Sequence, residues 1–168
     1  MKLLSIIFSF RNEEKNIPEL VRRIKESLKK SNNWKYELVF VNDDSTDSSE
    51  KVLSELQNDH PIKIINMSRK FGVGPCVLAG FDNCNGDCII YMDTDLQDPP
   101  ELIPDLIKKY EEGYDVIHTK RIKRIGENRL KMFVTKLAYK IINKLSDISL
   151  PVEVGDFKLI SRRVLEHI

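Results

Sequence analysis

Asp93 and Asp95 stand two residues apart, directly after the short apolar run Cys88–Met92. A run that short, bounded by turn formers, reads as a buried strand rather than a helix. In extended chain, residues i and i+2 point the same way. The two carboxylates therefore share a side, where like charges repel unless a cation lies between them. Asp98-Pro99-Pro100 follows at once. That pattern predicts a helix over Pro99–Glu112, N-capped by Asp98, with Pro99 at the first position, where its missing N–H costs nothing. The expectation is a hard-cation site on the carboxyl edge of a sheet, the edge at which open α/β folds bind ligands.

Two earlier strand ends bring similar groups. Asn12 and Glu13 follow the apolar stretch Leu3–Ser9, and Asp43 and Asp44 follow Tyr36–Val41. A third strand, Ile62–Asn66, leaves through a loop carrying Arg69 and Lys70. Such an edge suits a nucleoside diphosphate, with metal bridging the phosphates, carboxylates on ribose or base, and cations nearby. Two other classes use acid pairs. A haloacid-dehalogenase-like phosphatase wants Thr or Val two places after the second Asp, where Gln97 stands, and opens its domain with the motif. A receiver-like, non-catalytic Mg²⁺ or nucleotide module carries its pair after the first strand, whereas Asp43 and Asp44 follow the second.

The elements that must position these groups alternate. Ile17, Leu20, Val21, Ile24 and Leu28 fall at helical spacing, as do Val52, Leu53 and Leu56 in a helix from about Ser48. A further helix is expected from Val73 to about Asn83, and a fifth strand over Asp115–Thr119. Strand and helix in turn predict an α/β domain: a mostly parallel sheet with helices on both faces. From Asn128 to Ser146, Leu130, Phe133, Val134, Leu137, Ala138, Ile141, Ile142 and Leu145 form an apolar stripe flanked by Arg129, Lys131, Lys136, Lys140 and Lys144. Such a helix either packs on a core or lies on anionic lipid. A turn at Gly155–Asp156, an apolar stretch Phe157–Ile160 and a helix start at Ser161 follow. The chain then stops without a cap, which predicts truncation at the C-terminus.

Size and charge narrow the classes further. The 168 residues suit one domain spanning 1–168, and the net charge is +1. Placement of charge is uneven: 87–115 holds nine acidic and two basic residues, 120–144 nine basic and one acidic. That split suits an anionic ligand gripped by metal on one side and Lys/Arg on the other, and no nucleic acid is expected. Cys76, Cys84 and Cys88 have no histidine nearby, which predicts reduced thiols and a cytoplasmic setting. The start, Met1 to Phe10, is too short for a signal peptide, and no run approaches 18 apolar residues.

Taken together, Ser-Phe-Arg-Asn-Glu-Glu (9–14), Val-Asn-Asp-Asp-Ser-Thr-Asp (41–47), Ser-Arg-Lys-Phe-Gly (68–72), Met-Asp-Thr-Asp-Leu-Gln-Asp-Pro-Pro-Glu (92–101) and Gly-Asp-Phe-Lys-Leu-Ile-Ser-Arg-Arg (155–163) resemble, in order, the motif set of family 2 glycosyltransferases. The nearest branch is the polyprenyl- and dolichyl-phosphate sugar transferases, similar to dolichol-phosphate mannosyltransferase. The resemblance implies a GT-A fold, Rossmann-like; a UDP- or GDP-sugar donor; Mg²⁺ or Mn²⁺; inversion at the anomeric carbon; and a polyprenyl-phosphate or other glycan acceptor. It also implies work at the cytoplasmic face of a membrane, with peripheral contact.

Carried over by motif, Phe10, Asn12, Glu13, Asp43, Arg69 and Asp93 fall to the nucleotide. Asp93, Asp95 and Gln97 fall to the metal, and Asp156 with Asp95 to catalysis. Lys120, Arg121 and Lys131 fall to the acceptor phosphate. The chain departs from the family pattern in three places. Asn42-Asp43-Asp44-Ser45 replaces Asp-Asp-Gly-Ser, so a side chain must fit where glycine is usual. Ser9-Phe10-Arg11 replaces Pro-Val/Thr-Tyr, and Val73-Gly74-Pro75 replaces a more polar stretch. Relatives in this branch also continue into interface helices and membrane spans.

Overall fold

The computed structural model of the chain describes residues 1–29, 31, 33–120 and 154–168. Alternating burial builds the central strand, β1 (Lys2–Phe10). Leu4, Ile6, Phe8 and Phe10 go to one core, Ile7 to the other, as the two-residue period of a strand requires. Parallel β2 (Trp34–Asn42) and β4 (Cys88–Tyr91) flank it, and β3 (Ile62–Asn66) pairs parallel with β2. The sheet order is β3-β2-β1-β4-β6-β5, with β5 Val116–Lys120 and β6 Val154–Ser161.

One face of the sheet is covered by α1 (Ile17–Leu28), α2 (Ser49–Leu56) and α4 (Ile103–Glu111). Helix α1 buries Ile17, Leu20, Val21, Ile24 and Leu28, the stripe expected from spacing, and Pro18 stands in its first turn, where it displaces no hydrogen bond. The other face carries α3 (Val73–Asp82) and the short α5 (Arg162–Leu165). Gly80 lets α3 approach β1: a Cβ there would stand 2.4 Å from Ile7 Cγ2. All three cysteines are free and buried. No helix among the described residues is long and apolar enough to cross a membrane.

The chain forms two compact units, Met1–Ile117 with Asp156–Ile168, and His118–Gly155. In the second, the described residues are the end of β5 and the first two of β6. The helix expected over Asn128–Ser146 lies outside the described residues.

Two expectations need correction. Gly155–Asp156 is no turn: both residues belong to β6, which runs antiparallel to β4 with Tyr91 opposite Lys158 and Cys88 opposite Ser161. Asp98 does not cap a helix from Pro99. Pro99 is extended (φ −78°, ψ 115°), because a residue before proline is driven from the helical region by the following ring. A 3₁₀ turn, Pro100–Leu102, comes next, and α4 starts only at Ile103. Asp98 itself is buried.

Candidate active site

The carboxyl ends of β1, β2 and β4 open on one edge, since the three are parallel. Here Ser9, Phe10, Arg11, Glu13, Asp93, Thr94 and Asp95 line a cavity of about 170 Å³. Four of the residues expected from sequence (Phe10, Glu13, Asp93 and Asp95) thus meet in one place. Phe10 contributes little surface; it is 3 % exposed and packs edge-on against Phe40.

Asp93 leaves β4 still half sheltered. Its Oδ1 accepts the Tyr91 hydroxyl at 3.0 Å. Burial raises the Asp93 carboxyl above its ordinary value; the Tyr91 bond opposes this, and the charges of Asp95, Asp98 and Asp156 add to the rise. Tyr91 is raised as well, by burial first and then by Asp93, Asp156 and Asp98. Asp156 therefore acts on this edge although it lies far off in sequence: antiparallel β6 carries it back beside β4. Asp95 is exposed, and its Oδ1 accepts the Gln97 N–H at 3.0 Å, which closes a tight turn. Between them Leu96 holds φ +63°, a left-handed conformation costly for a bulky side chain and typical of functional turns.

The β1 and β2 loops are laced together. Asn12 (φ +59°) donates its N–H to Ser45 Oγ at 3.0 Å and accepts the Thr46 N–H on Oδ1 at 2.8 Å. The Glu13 N–H donates to Ser49 Oγ at 2.8 Å, and Glu13 Oε2 accepts from Asn16. Asp44 occupies the position where glycine is usual in the family pattern, with φ +60°. Aspartate is among the few residues that tolerate that region, which is how the turn survives without glycine.

Asp43 is 5 % exposed and turns its carboxylate to the next loop. Oδ1 accepts the Phe71 N–H at 2.6 Å and Oδ2 the Gly72 N–H at 3.0 Å. Burial alone would raise this carboxyl. The two amides, the Cys76 thiol and the Arg11 charge outweigh burial and hold it below the ordinary aspartate value. Asp43 thus ties β2 to the entrance of α3.

The remaining expected residues lie elsewhere or are not described. Arg69 is exposed, its guanidinium 4.7 Å from the Phe71 ring centre. Gln97 is exposed beside Asp95. Lys120 ends β5 within the second unit, and Arg121 and Lys131 lie outside the described residues. Sequence reasoning missed Arg11 and Tyr91. Arg11 was visible only as a departure from a motif, and Tyr91 read as one more apolar strand residue.

Comparison with known proteins sets this geometry in a family. Residues 5–168 match the model of glycosyl transferase family 2. An uncharacterised glycosyltransferase of Synechocystis is 42 % identical over 98 % of this chain and 52 % of its own length. A prophage bactoprenol glucosyl transferase homolog of Escherichia coli is 38 % identical over 98 % of this chain and 54 % of its own. The chain spans about half the length of the curated relatives it matches. Among solved structures, a mannosyltransferase from Pyrobaculum calidifontis, in complex with GDP-mannose and Mn²⁺, superposes with TM-score 0.68 at 18 % identity, covering 98 % of this chain and 46 % of that one. The shared fold is GT-A, with the sheet and helix layers described above. By sequence over nearly its whole length, and with that fold, the chain belongs to glycosyl transferase family 2.

Proposed function

We propose that the chain carries the catalytic part of an inverting glycosyltransferase that moves a sugar from a UDP- or GDP-sugar to a polyprenyl phosphate. The observation that carries this is the convergence of Glu13, Asp93 and Asp95 on one cavity, with the charge of Asp156 beside them, at the carboxyl edge of parallel strands. The bactoprenol glucosyl transferase homolog supports the acceptor class. Membership of the family removes the ground from the phosphatase and receiver-like readings.

The donor set fits a divalent cation, Mg²⁺ or Mn²⁺. Asp93 is raised in part by the neighbouring charges of Asp95, Asp98 and Asp156, a repulsion that a cation would relieve. Among the described residues no group of three His, Cys, Asp or Glu converges as a ready cage. Such ions in nucleotide sites take one or two carboxylates and complete their shell with phosphate oxygens and water. Asp93, Asp95 and Gln97 are the residues to hold it. A cation held there would supply Lewis-acid stabilisation of the charge that develops on the leaving diphosphate.

The chain's own groups do the rest. Asn12 and Asp43 brace the walls of the nucleotide site through the loops they tie, and Phe10 and Glu13 line it; Arg69 serves the same ligand from the β3 loop. Asp156 orients the acceptor. A phosphate monoester is largely ionised at pH 7, its second pKa being about 6, so its oxygen attacks without a strong base. Attack comes from the face opposite the leaving diphosphate, through a transition state of oxocarbenium character. Lys120, Arg121 and Lys131 hold the acceptor phosphate, and the reaction runs at the cytoplasmic face of a membrane.

A thermal-shift panel of UDP, GDP and their sugars, with and without Mn²⁺, tests this. One nucleotide with metal should stabilise the fold by about 2.7 kcal/mol at a hundred times its dissociation constant. At this chain length that is a rise of roughly 5–10 °C. No shift with any nucleoside diphosphate and metal together would overturn the reading.

A further inference from the structure

Val73-Gly74-Pro75, the apolar stretch that departs from the family pattern, has no part in the function proposed above. It opens α3, and α3 carries no charged side chain before Asp82. Cys76 and Gly80 turn to the sheet and are buried. The outward side holds Gly74, Pro75 and Leu78, with Val73 at the start of the helix and Phe71 just before it, and all five are exposed. Val73 is 58 % exposed and Leu78 56 %. A surface helix turns polar side chains outward, as α1 does with Arg22, Lys25 and Glu26, whereas a helix apolar all round belongs inside something. α3 is apolar on both sides and meets the sheet with one.

Charge and position say what the outer side meets. From Ser68 to Phe81 the chain holds two basic residues, Arg69 and Lys70, and no acidic one. Arg69 lies against the Phe71 ring, 4.7 Å from its centre, and Lys70 is exposed. Apolar tips beside cations complement an anionic lipid surface: the apolar side chains enter the acyl boundary while long basic ones reach phosphate. β1, β2 and β3 are parallel, so α3 enters at the carboxyl edge on which the acidic cavity opens, where Asp43 accepts the Phe71 and Gly72 N–H groups. A second protein is a poorer match for so few side chains, since a stable interface takes about 20–30 residues a side.

We propose that the outer side of α3, through Phe71, Val73, Pro75 and Leu78 with Lys70 beside them, docks on the surface of an anionic bilayer and so brings the edge of the cavity to a lipid-borne acceptor. That this edge needs a bilayer rests on the lipid-phosphate acceptor proposed above. The apolar face itself is a property of this chain, set by Val73-Gly74-Pro75 and Leu78.

The test is co-sedimentation of the 168-residue chain with vesicles of phosphatidylcholine, alone or mixed with phosphatidylglycerol. The chain should bind the mixed vesicles, and less so at high salt. Val73→Gln together with Leu78→Gln should weaken binding by at least about tenfold, through loss of two side chains from the acyl boundary. Lys70→Gln should weaken it about fivefold. All three positions are exposed, so the melting temperature should not change. Leu78→Trp should bind more tightly, with emission that shifts to the blue when vesicles are added. No binding to the mixed vesicles would overturn the proposal. Full affinity in the double Gln variant would also overturn it, giving the lipid contact to another part of the chain such as the basic stretch 120–144. Self-association without lipid that the same pair abolishes would give the face to a second copy, and overturn it too. If the pair lowers the melting temperature, Leu78→Trp decides, and unshifted emission there sinks the idea. UDP or GDP thermal shifts in a chain that ignores vesicles would leave the donor reading standing and remove this one; vesicle binding without any nucleotide shift would do the reverse.

Discussion

Replacing Asp43 by asparagine separates its structural role from any direct role in binding. The carboxylate accepts two amide protons, from Phe71 at 2.6 Å and Gly72 at 3.0 Å. An amide side chain has one oxygen, so one N–H finds an acceptor and the other faces a donor. The orphaned N–H costs about 1–3 kcal/mol, and the surviving bond falls from charge-assisted to neutral strength, a loss of about 1 kcal/mol. Phe71 is 40 % exposed, and water reaching the loop pulls the sum toward its lower half, about 2–3 kcal/mol. At this length the melting temperature should drop by roughly 5–10 °C at pH 7.

The pH dependence has a definite sign. The native Asp43 carboxyl titrates below its ordinary value. Its contribution is therefore complete above the unfolded value of about 3.9 and is lost as pH falls through the native one. Urea unfolding of wild type and Asp43→Asn at several pH values should give a constant gap from pH 8 to 5. The gap should narrow only once the pH is below about 4. A melting temperature within 1 °C of wild type at pH 7 would refute the claim that this carboxylate holds the α3 entrance.

Two further outcomes are expected. Asp95→Ala should abolish the Mn²⁺-dependent part of nucleotide binding by calorimetry while changing the melting temperature little, because an exposed carboxylate near like charges contributes little to the fold; retained Mn²⁺ dependence would move the metal elsewhere. Gly80→Val should lower stability by about 1–3 kcal/mol in urea melts, since even a Cβ would stand 2.4 Å from Ile7 Cγ2 and α3 must lift off β1; an unchanged midpoint would contradict that packing.

Much of the frame was legible because it repeats locally. The α1 stripe and the apolar runs of β1, β2 and β4 depend on neighbours three, four or two residues away, and the sequence displays those directly. Acids at strand ends were legible for the same reason. Strand direction was not. Nothing in Phe157–Ile160 says that it runs antiparallel to β4, and glycine beside aspartate looks like a turn when neither partner strand is visible. Asp98 was misread because two adjacent prolines each constrain the residue before them, and the effect of Pro100 on Pro99 outweighed the preference for a cap. The tie from Asp43 to Phe71 and Gly72 spans 28 and 29 residues, beyond any local pattern.

The place of β6 also bears on how the molecule assembles. β1 with β2 and β2 with β3 pair between neighbouring strands of the sequence, whereas β4 must return to β1, and β6 to β4 with Tyr91 opposite Lys158 and Cys88 opposite Ser161, each across more than sixty residues of chain. Closing so long a loop is slow, because its entropy must be lost before any contact repays it. Until then the outer edge of β4 presents open N–H and C=O groups, the kind of edge that recruits a strand from another molecule. Arg162 then seals the joint, its Nε donating to the Gly86 carbonyl at 2.9 Å and Nη2 to that of Cys84 at 3.0 Å. Asp156 arrives with that last strand, so refolding followed by tryptophan fluorescence at Trp34, which lies on β2, should finish before nucleotide binding is recovered.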